Sequence, residues 1–433
     1  MKLTVGLAIG SDAIEMTLLS YLVPCVAAEW GLSSLQEALL TASVFAGKLV
    51  GTIMLGVMSD ALGRRPAFQV AAMFVVVFGV LTSFAPSFWW LLACRSLVGV
   101  GAGGMEVPFN LLAETVSHKE KMRAFVDVQA SWAIGSIFVG VAAWGVLSFG
   151  YTWRLFALVS ALPPFGVLCC FGFTPESPRW LIAKGREEDA ELVLRKIAKI
   201  NGLELTDVTI VPEEKYHYKK GGGGMLSLWR RRELRSRTAA SCVVWAAFGF
   251  TYYGVVLLSS KLSSSIRGVS EECSFDYPVL FLAASSELVA NTVTRLNVGR
   301  LDSYMSLKIS FVTAAVTTVV MPANSSLAWL LITSYFARGA AYLTACFSWI
   351  ITPQLYPTEI RSTGHAASNA STLIGAVGAS FLVSTSASNQ WIAVGVSVVS
   401  AVGGLATQVL SHVCRKELDD NRGEDATESE PLL

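Results

Sequence analysis

The chain has 433 residues, of which 53% are hydrophobic and only 15% are charged. Average soluble domains carry about 25% charged residues, so this composition predicts an integral membrane protein. The formal net charge of +1 excludes the strongly basic footprint that is typical of nucleic-acid-binding proteins. We therefore expect no nucleic-acid partner.

Hydropathy along the chain predicts twelve membrane-spanning helices. They run at roughly 4–28, 36–58, 67–86, 88–113, 124–149, 153–172, 238–260, 277–297, 305–323, 326–351, 365–386 and 389–413. Helices are the expected spanning element because backbone polar groups in lipid must be satisfied within the segment. The predicted fold is all-α and integral to the membrane.

Basic residues occur mainly in alternate loops between these spans. Arg64 and Arg65 follow the second span, Arg123 follows the fourth, and a basic stretch separates the sixth from the seventh. The opposite loops hold few basic residues. The positive-inside rule therefore predicts that both termini lie in the cytosol.

The two halves of the chain echo each other, since Arg95 in the fourth span corresponds in position to Arg338 in the tenth. This pattern indicates two pseudo-symmetric six-helix bundles with a binding site between them. We expect an N-terminal bundle at 1–181, a cytosolic linker at 182–236, a C-terminal bundle at 237–414 and a disordered cytosolic tail at 415–433. Within the linker, the amphipathic stretch Glu187–Ile200 predicts a helix at the membrane surface.

Two carboxylates, Asp12 and Glu15, interrupt the first apolar span. A charge in mid-span costs about 2.5–3.5 kcal/mol on insertion scales, so both should face a protein interior or a water-filled cavity. The three-residue spacing places them on nearly the same helix face. Arg95 lies at a similar depth, so a Glu15–Arg95 or an Asp12–Arg95 pair is expected. Glu15 lies deeper and is the better candidate for substrate or proton binding, whereas Asp12 could serve an inner gate.

Further charges and aromatic residues lie at membrane depth. The predicted substrate- or proton-binding residues are Asp12, Glu15, Arg95, Glu106, Trp132, Tyr252, Tyr253, Glu287 and Arg338. The aromatic rings could hold a cation by cation–π contact. Helix packing explains each ring alone equally well, and a structural ion pair is the alternative for each charge. As a set, intramembrane charges favour a functional role.

The charge count of the spans favours one class of solute. The predicted spans contain four carboxylates (Asp12, Glu15, Glu106, Glu287) and three basic groups (Lys48, Arg95, Arg338). This slight acidic excess favours an organic cation or a zwitterion, with proton coupling through Asp12 or Glu15. No G-x-x-x-x-G-K-[ST] loop for ATP occurs, so ion or solute gradients should supply the energy.

Cofactor and metal patterns are missing from the sequence. No Cys-x-x-Cys spacing occurs and the four histidines lie far apart, so we expect no metal site. A disulfide between Cys25 and Cys273 is not favoured. Gly99-Val-Gly-Ala-Gly-Gly104 matches G-x-G-x-x-G, but it lies inside a span and predicts close helix packing rather than a dinucleotide site. No cofactor is expected.

The most specific motif is Gly56-Val-Met-Ser-Asp-Ala-Leu-Gly-Arg-Arg65, in the turn after the second span. Its glycines permit a tight turn and close helix approach, and Asp60 with the arginines could form a charge latch. A plain polar turn is the alternative, which this spacing disfavours. The stretch resembles the loop-two signature of the major facilitator superfamily.

Three more stretches narrow the resemblance. Pro175-Glu-Ser-Pro-Arg179 and Tyr356-Pro-Thr-Glu-Ile-Arg361 resemble the sugar and organic-ion porter branch, and Asp12-Ala-Ile-Glu-Met16 resembles the synaptic-vesicle-two-related proteins. The resemblance covers roughly residues 6–414. It implies a secondary transporter, not an enzyme, which carries a small organic solute by alternating access. Lys48 and Glu106 are charges that this branch does not lead us to expect.

The resemblance also implies a set of gating residues. These are Gly56, Asp60, Gly63, Arg64, Arg65, Glu114, Arg123, Glu176, Arg179, Glu359 and Arg361. The loop after the eighth span, Val298-Gly-Arg-Leu-Asp302, lacks the signature's register. A non-transporting membrane receptor or vesicle scaffold that retains the transporter fold is therefore the alternative function.

The chain ends in Glu428-Ser-Glu-Pro-Leu-Leu433. A Glu followed by Leu432 and Leu433 resembles an acidic dileucine signal, with a sorting adaptor as its partner. A chance match is about equally good as an explanation. The motif favours an endosomal, lysosomal, vacuolar or vesicle membrane, with the plasma membrane as the alternative.

Overall fold

A computed structural model describes residues 2–116, 121–170, 174–200, 202, 225–230, 232–266, 273, 275–297, 300–356 and 360–428. These residues form helices and short connections, with no strand among them. All twelve predicted spans coincide with helical segments. Nine of the helices in this part of the chain are individually long and apolar enough to cross a membrane.

The described residues of the first half form eight helices. They are α1 (Lys2–Trp30), α2 (Ser34–Leu62), α3 (Arg64–Ser83), α4 (Phe88–Gly104), α5 (Val107–Thr115), α6 (Lys121–Leu147), α7 (Trp153–Ser160) and α8 (Leu162–Cys169). Two predicted spans are therefore each divided, with α5 and α8 both starting on a proline-containing first turn. Proline lacks the backbone N–H that a continuous helix requires.

The remaining helices are α9 (Pro178–Ala183), α10 (Glu187–Ile200), α11 (Met225–Arg230), α12 (Arg232–Ile266), α13 (Tyr277–Asn297), α14 (Ser303–Val320), α15 (Leu327–Ile351), α16 (Arg361–Val383) and α17 (Asn389–Glu428). Helix α10 has the bounds predicted for the amphipathic stretch of the linker. Helix α17 continues to Glu428, where we predicted a disordered tail from 415 onwards. Its charged extension contains no proline before Pro431, so no proline interrupts the helix earlier.

The two halves meet mainly along two helix pairs, α2 with α16 and α6 with α13, with smaller contacts between α1 and α12 and between α6 and α15. Within the first half, the glycines of the G-x-G-x-x-G match let α4 approach α2. A Cβ on Gly99 would lie 2.2 Å from the carbonyl oxygen of Val44, and one on Gly103 would lie 2.4 Å from that of Lys48. The prediction of close helix packing at these glycines is confirmed.

A disulfide joins the halves, contrary to the sequence prediction. Cys25, near the end of α1, is bonded to Cys273, which precedes α13, and their Cα atoms lie 4.4 Å apart. The two residues are 248 positions apart in sequence, so only the packing of the halves brings them together. We call this the Cys25 end of the molecule and the opposite end, which holds the loop after α2, the Asp60 end.

Candidate functional site

A cavity of about 70 Å³ lies between the two halves. Its size gives room for a few water molecules. The lining residues are Ile9, Asp12, Lys48, Glu106, Phe109, Gln129, Trp132, Phe248, Tyr252, Tyr253, Tyr342, Ala345, Trp349, Asn369, Thr372 and Leu373. Only three of them, all from the first half, carry a charged side chain.

These three charges form one cluster. The ammonium of Lys48 on α2 lies 2.6 Å from Oδ2 of Asp12 on α1 and 3.3 Å from Oε1 of Glu106. Glu106 stands in the break between α4 and α5, as the N-cap residue of α5, so its side chain is released from the regular helix surface. Asn369 on α16 donates to Oε2 of Glu106 at 2.6 Å and so connects the cluster to the second half.

Asp12 is the part of this cluster with a free ligand position. Its Oδ1 is buried and has no hydrogen-bond partner among the residues that the structure describes. A buried polar atom without a partner costs about 1–3 kcal/mol. The Asp12 side chain lines the cavity, so a small rotation would let this oxygen accept a hydrogen bond from a water molecule or from a cationic group of a ligand.

Glu15, three residues further along α1, lies in a different environment. Its Oε2 accepts a hydrogen bond of 2.9 Å from Nη1 of Arg95, and Nε of Arg95 donates to Thr82. Both side chains of the pair are only 1% exposed, and neither lines the cavity. Of the two pairs that the sequence left open, the structure contains Glu15–Arg95, while Asp12 is paired with Lys48.

The second half holds a buried pair of its own. Nε of Arg338 on α15 donates to Oε1 of Glu287 on α13 at 2.7 Å. Tyr252 donates to the same carboxylate oxygen at 2.8 Å, and Trp132 on α6 donates to the hydroxyl of Tyr252 at 2.7 Å. A hydrogen-bonded chain therefore runs from Arg338 through the aromatic wall of the cavity into the first half.

Aromatic side chains supply most of the remaining wall. The ammonium of Lys48 lies 6.0 Å from the ring centroid of Trp132. Tyr253 packs on Phe45 at 4.5 Å, and Trp349 on Phe109 at 4.8 Å, each across the interface between the halves. Aromatic faces attract cations electrostatically within about 6 Å. The aromatic wall and the carboxylates therefore both favour a positively charged ligand.

At the Asp60 end, the predicted charge latch in the loop after α2 also includes Glu176, which lies between α8 and α9. Arg64 forms an ion pair of 2.5 Å with Asp60. The carboxylate of Glu176 accepts hydrogen bonds from the backbone N–H groups of Arg64 and Arg65, at 2.8 and 3.2 Å. A Cβ at position 63 would lie 2.4 Å from Oε2 of Glu176, and the φ of Gly63 is +114°. Glycine is therefore required there.

The other predicted gating residues are less clearly placed. A Cβ added at Gly56 would meet no other helix within 4 Å in the described part of the chain, so the glycine does not serve a close helix approach there. Arg123 and Arg179 are exposed. Glu359, Leu432, Leu433 and the side chains of Glu114, Arg361 and Glu428 fall outside the described part of the chain.

Several cavity residues were not singled out as site residues from the sequence. Lys48 was noted as an unexpected charge, but not as the partner of Asp12 and Glu106. Tyr342 lies four residues after Arg338, one turn along the same helix face, and its hydroxyl lies 2.9 Å from the carbonyl oxygen of Gln129. For Asn369 no sequence pattern pointed to the site. No cluster of three or more potential metal ligands occurs within the described residues.

Comparison with protein families gives one match that spans most of the chain. The model described as "Sugar (and other) transporter" matches residues 10–411. An Arabidopsis thaliana protein named "Organic cation/carnitine transporter 7" is 30% identical over 400 residues, which are 83% of this chain and 79% of that protein. The Bos taurus "Synaptic vesicle 2-related protein" is 30% identical, over 87% of this chain and 71% of its own length.

Solved structures share the fold. The partially occluded inward open conformation of the xylose transporter XylE from E. coli superposes with a TM-score of 0.73 at 16% identity, covering 95% of this chain and 96% of that chain. XylE bound to 6-bromo-6-deoxy-D-glucose gives a TM-score of 0.71 at 16% identity, over 96% and 95% of the two chains. At this identity the likeness concerns the fold alone. Together with the family match, it shows that the chain belongs to the sugar (and other) transporter family of the major facilitator superfamily, whose members are multi-pass membrane transporters and not enzymes.

Proposed function

We propose that this protein transports an organic cation or zwitterion by alternating access, with the substrate bound in the cavity between the halves. The observation that carries the proposal is the buried, unpartnered Oδ1 of Asp12 in an aromatic-lined cavity. An ammonium group at that position would gain a charge-assisted hydrogen bond and cation–π contacts together.

The composition of the wall separates this substrate class from the alternatives. A sugar needs several free donors and acceptors around it, whereas Asn369 and the hydroxyls of Tyr252 and Tyr342 in the lining already make hydrogen bonds within the protein. A simple anion would meet two carboxylates, Asp12 and Glu106. A zwitterion could place its carboxylate against Lys48. The name of the Arabidopsis relative, an organic cation/carnitine transporter, supports the same class.

We further propose that Glu15 carries a coupling proton. Its hydrogen-bond partner among the described residues is Arg95, and both side chains are sealed from the cavity in this conformation. Protonation of Glu15 would weaken its attraction to Arg95 and so alter the packing of α1 on α4. Such a change would link proton binding to the position of α1, which also bears Asp12.

The membrane and the orientation are part of the proposal. The distribution of basic loop residues supports a cytosolic Asp60 end with both termini on that side. The synaptic vesicle 2-related relatives and the terminal dileucine support a vesicle-like membrane and a sorting adaptor. The bundles at 1–181 and 237–414, with the linker at 182–236, would be the moving units.

A flux screen in proteoliposomes tests the substrate class. We expect uptake of radiolabelled butylammonium, and no comparable uptake of xylose or nicotinate. Equal uptake of xylose would contradict the proposed class, and no uptake of any solute would favour the scaffold alternative. For coupling, Glu15→Gln should abolish acceleration by a proton gradient while leaving downhill exchange; an unchanged gradient response would remove Glu15 from the mechanism.

A further inference from the structure

Lys48 occupies the position where a cationic substrate would be expected. Its ammonium lies between Asp12 and Glu106, at 2.6 and 3.3 Å, and 6.0 Å from the ring centroid of Trp132. These are the contacts of a bound ammonium ion. They are made by a side chain of the protein that is 6% exposed, so an external cation cannot take the same place without adjusting to it.

The charges around the cavity have a simple balance. The described lining residues contribute two carboxylates and one ammonium, so the ionised cluster carries one net negative charge. Lys48 can remain with Glu106 while a substrate takes the unpartnered Oδ1 of Asp12. One added positive charge then neutralises the cluster, and a second would remain uncompensated in a buried site, which is costly.

We propose that Lys48 is a tethered cation that sets the charge number of the substrate, so that the cavity accepts solutes with one positive charge and rejects those with two. Lys48 can do this only if the cavity binds a cation, as proposed above. Without Lys48 the cluster would carry two negative charges, and the cavity would prefer solutes with two positive charges over those with one. If Glu106 were neutralised instead, the cluster would carry no net charge, and monocations would bind weakly.

Two probes with the same four-carbon chain test this idea, butylammonium with one charge and 1,4-diammoniobutane with two. Their dissociation constants are measured by calorimetry on the purified, detergent-solubilised protein at alkaline pH. The wild type should prefer butylammonium. Lys48→Gln should shift the ratio of the two constants towards the dication by about tenfold or more, because it leaves a full charge uncompensated. Lys48→Arg, which keeps the charge, should retain the wild-type ratio.

A second variant, Glu106→Gln, tests the same charge balance in case Lys48→Gln does not fold. Glu106→Gln should weaken butylammonium binding by about tenfold without creating a preference for the dication. A wild-type ratio in both Lys48→Gln and Glu106→Gln would overturn the role of Lys48 while leaving cation transport intact. A wild type that binds neither probe, with the variants equally inert, would instead overturn the proposed substrate class and Lys48's role with it.

The disulfide carries a second, independent inference. At the Cys25 end, Ser260 donates to the carbonyl oxygen of Ser20 at 2.6 Å, and the buried ring of Phe275 packs on Tyr21 at 5.3 Å. The Cys25–Cys273 bond adds a covalent link between the same two halves. At the Asp60 end, the halves are held by noncovalent contacts such as Phe109 against Trp349.

Alternating access requires each end to open in turn as one half rocks on the other. We infer that the Cys25–Cys273 disulfide is a redox lock, which keeps the Cys25 end closed until it is reduced. A dithiol reductant would supply two electrons and two protons, yielding two thiols on the protein and one disulfide on the reductant. Cys25 is buried and Cys273 is partly exposed, so we expect the reductant to attack at Cys273.

The test compares butylammonium exchange and amide hydrogen exchange before and after reduction with dithiothreitol. Reduction should speed substrate exchange several-fold and deprotect amides around Ser20 and Phe275. The Cys25→Ser/Cys273→Ser double variant should behave as the reduced protein whether or not reductant is added. Cys169→Ser, which removes an exposed free cysteine, is the matched control and should still respond. Unchanged amide exchange on reduction, or free thiols at both positions in the untreated protein, would overturn the lock.

Discussion

Asp12 and Glu15 lie three residues apart on one helix, yet they belong to different environments. Asp12 faces the cavity and shares the ammonium of Lys48 with Glu106. Glu15 is sealed inside the first half against Arg95, which also donates to Thr82. The two neighbouring helices, α2 and α4, decide the difference, because each offers one basic side chain to one of the carboxylates. Similar position on a helix face does not give two charges the same role.

The largest expected effect is a difference in stability between variants of the buried Glu15–Arg95 pair and variants of the cluster formed by Asp12, Lys48 and Glu106. Arg95→Met leaves Glu15 as an unpaired buried charge, and we expect a loss of about 3–5 kcal/mol in the free energy of unfolding. Lys48→Met should cost less, about 1–3 kcal/mol, because the cavity has room for water around Asp12 and Glu106. Denaturant unfolding in detergent measures both.

Two controls sharpen that comparison. Arg195→Met removes a partner of the exposed pair with Glu191 and should change stability by about 0–1 kcal/mol. The double variant Glu15→Leu/Arg95→Met should recover much of the loss, since apolar replacement of both partners of a buried pair is often neutral. A larger loss for Lys48→Met than for Arg95→Met would contradict the difference between the two environments.

Much of the fold follows from the sequence because its signals are local. Lengths of apolar sequence predicted the twelve spans, and the amphipathic stretch predicted helix α10 at Glu187–Ile200. The sequence predicted that Arg95 pairs with either Glu15 or Asp12. It could do so because the depth of a residue in the membrane follows from its position along the helix, at about 1.5 Å per residue. Depth alone could not distinguish Glu15 from Asp12, since rotation about the helix axis is set by packing.

The features that the sequence did not predict depend on contacts between distant segments. Asn369 reaches Glu106 across 263 positions, and Cys25 reaches Cys273 across 248. No periodicity within one helix reports which helix of the other half it will meet. The break that exposes Glu106 was closer to being predictable, because Pro108 occupies the first turn of α5.

The aromatic wall gives the next prediction, on the cavity side of the comparison. Tyr253→Leu removes a ring from the wall, and we expect butylammonium to bind more weakly by about 0.5–2 kcal/mol. Tyr253→Phe keeps the ring and should bind nearly as well as the wild type. Calorimetry measures both; equal weakening in the two variants would indicate that the hydroxyl, not the ring, matters.

The smallest effect concerns the hydrogen bond that connects the cavity wall to the second half. Trp132→Phe keeps an aromatic ring but removes the N–H that donates to Tyr252. A single hydrogen bond contributes about 0.5–1.5 kcal/mol, so the opening equilibrium should shift by roughly that amount towards separated halves. Amide hydrogen exchange along α6 and α12 reports the shift, and greater protection in the variant would contradict this role.

Equilibrium binding of butylammonium to Asp12→Asn and Glu15→Gln tests the central distinction most directly. Because Asp12 lines the cavity and Glu15 does not, Asp12→Asn should weaken binding by tenfold or more, about 1.4 kcal/mol, while Glu15→Gln should bind as the wild type does. Loss of binding in Glu15→Gln with retained binding in Asp12→Asn would show that the sealed carboxylate, and not the cavity-facing one, holds the substrate.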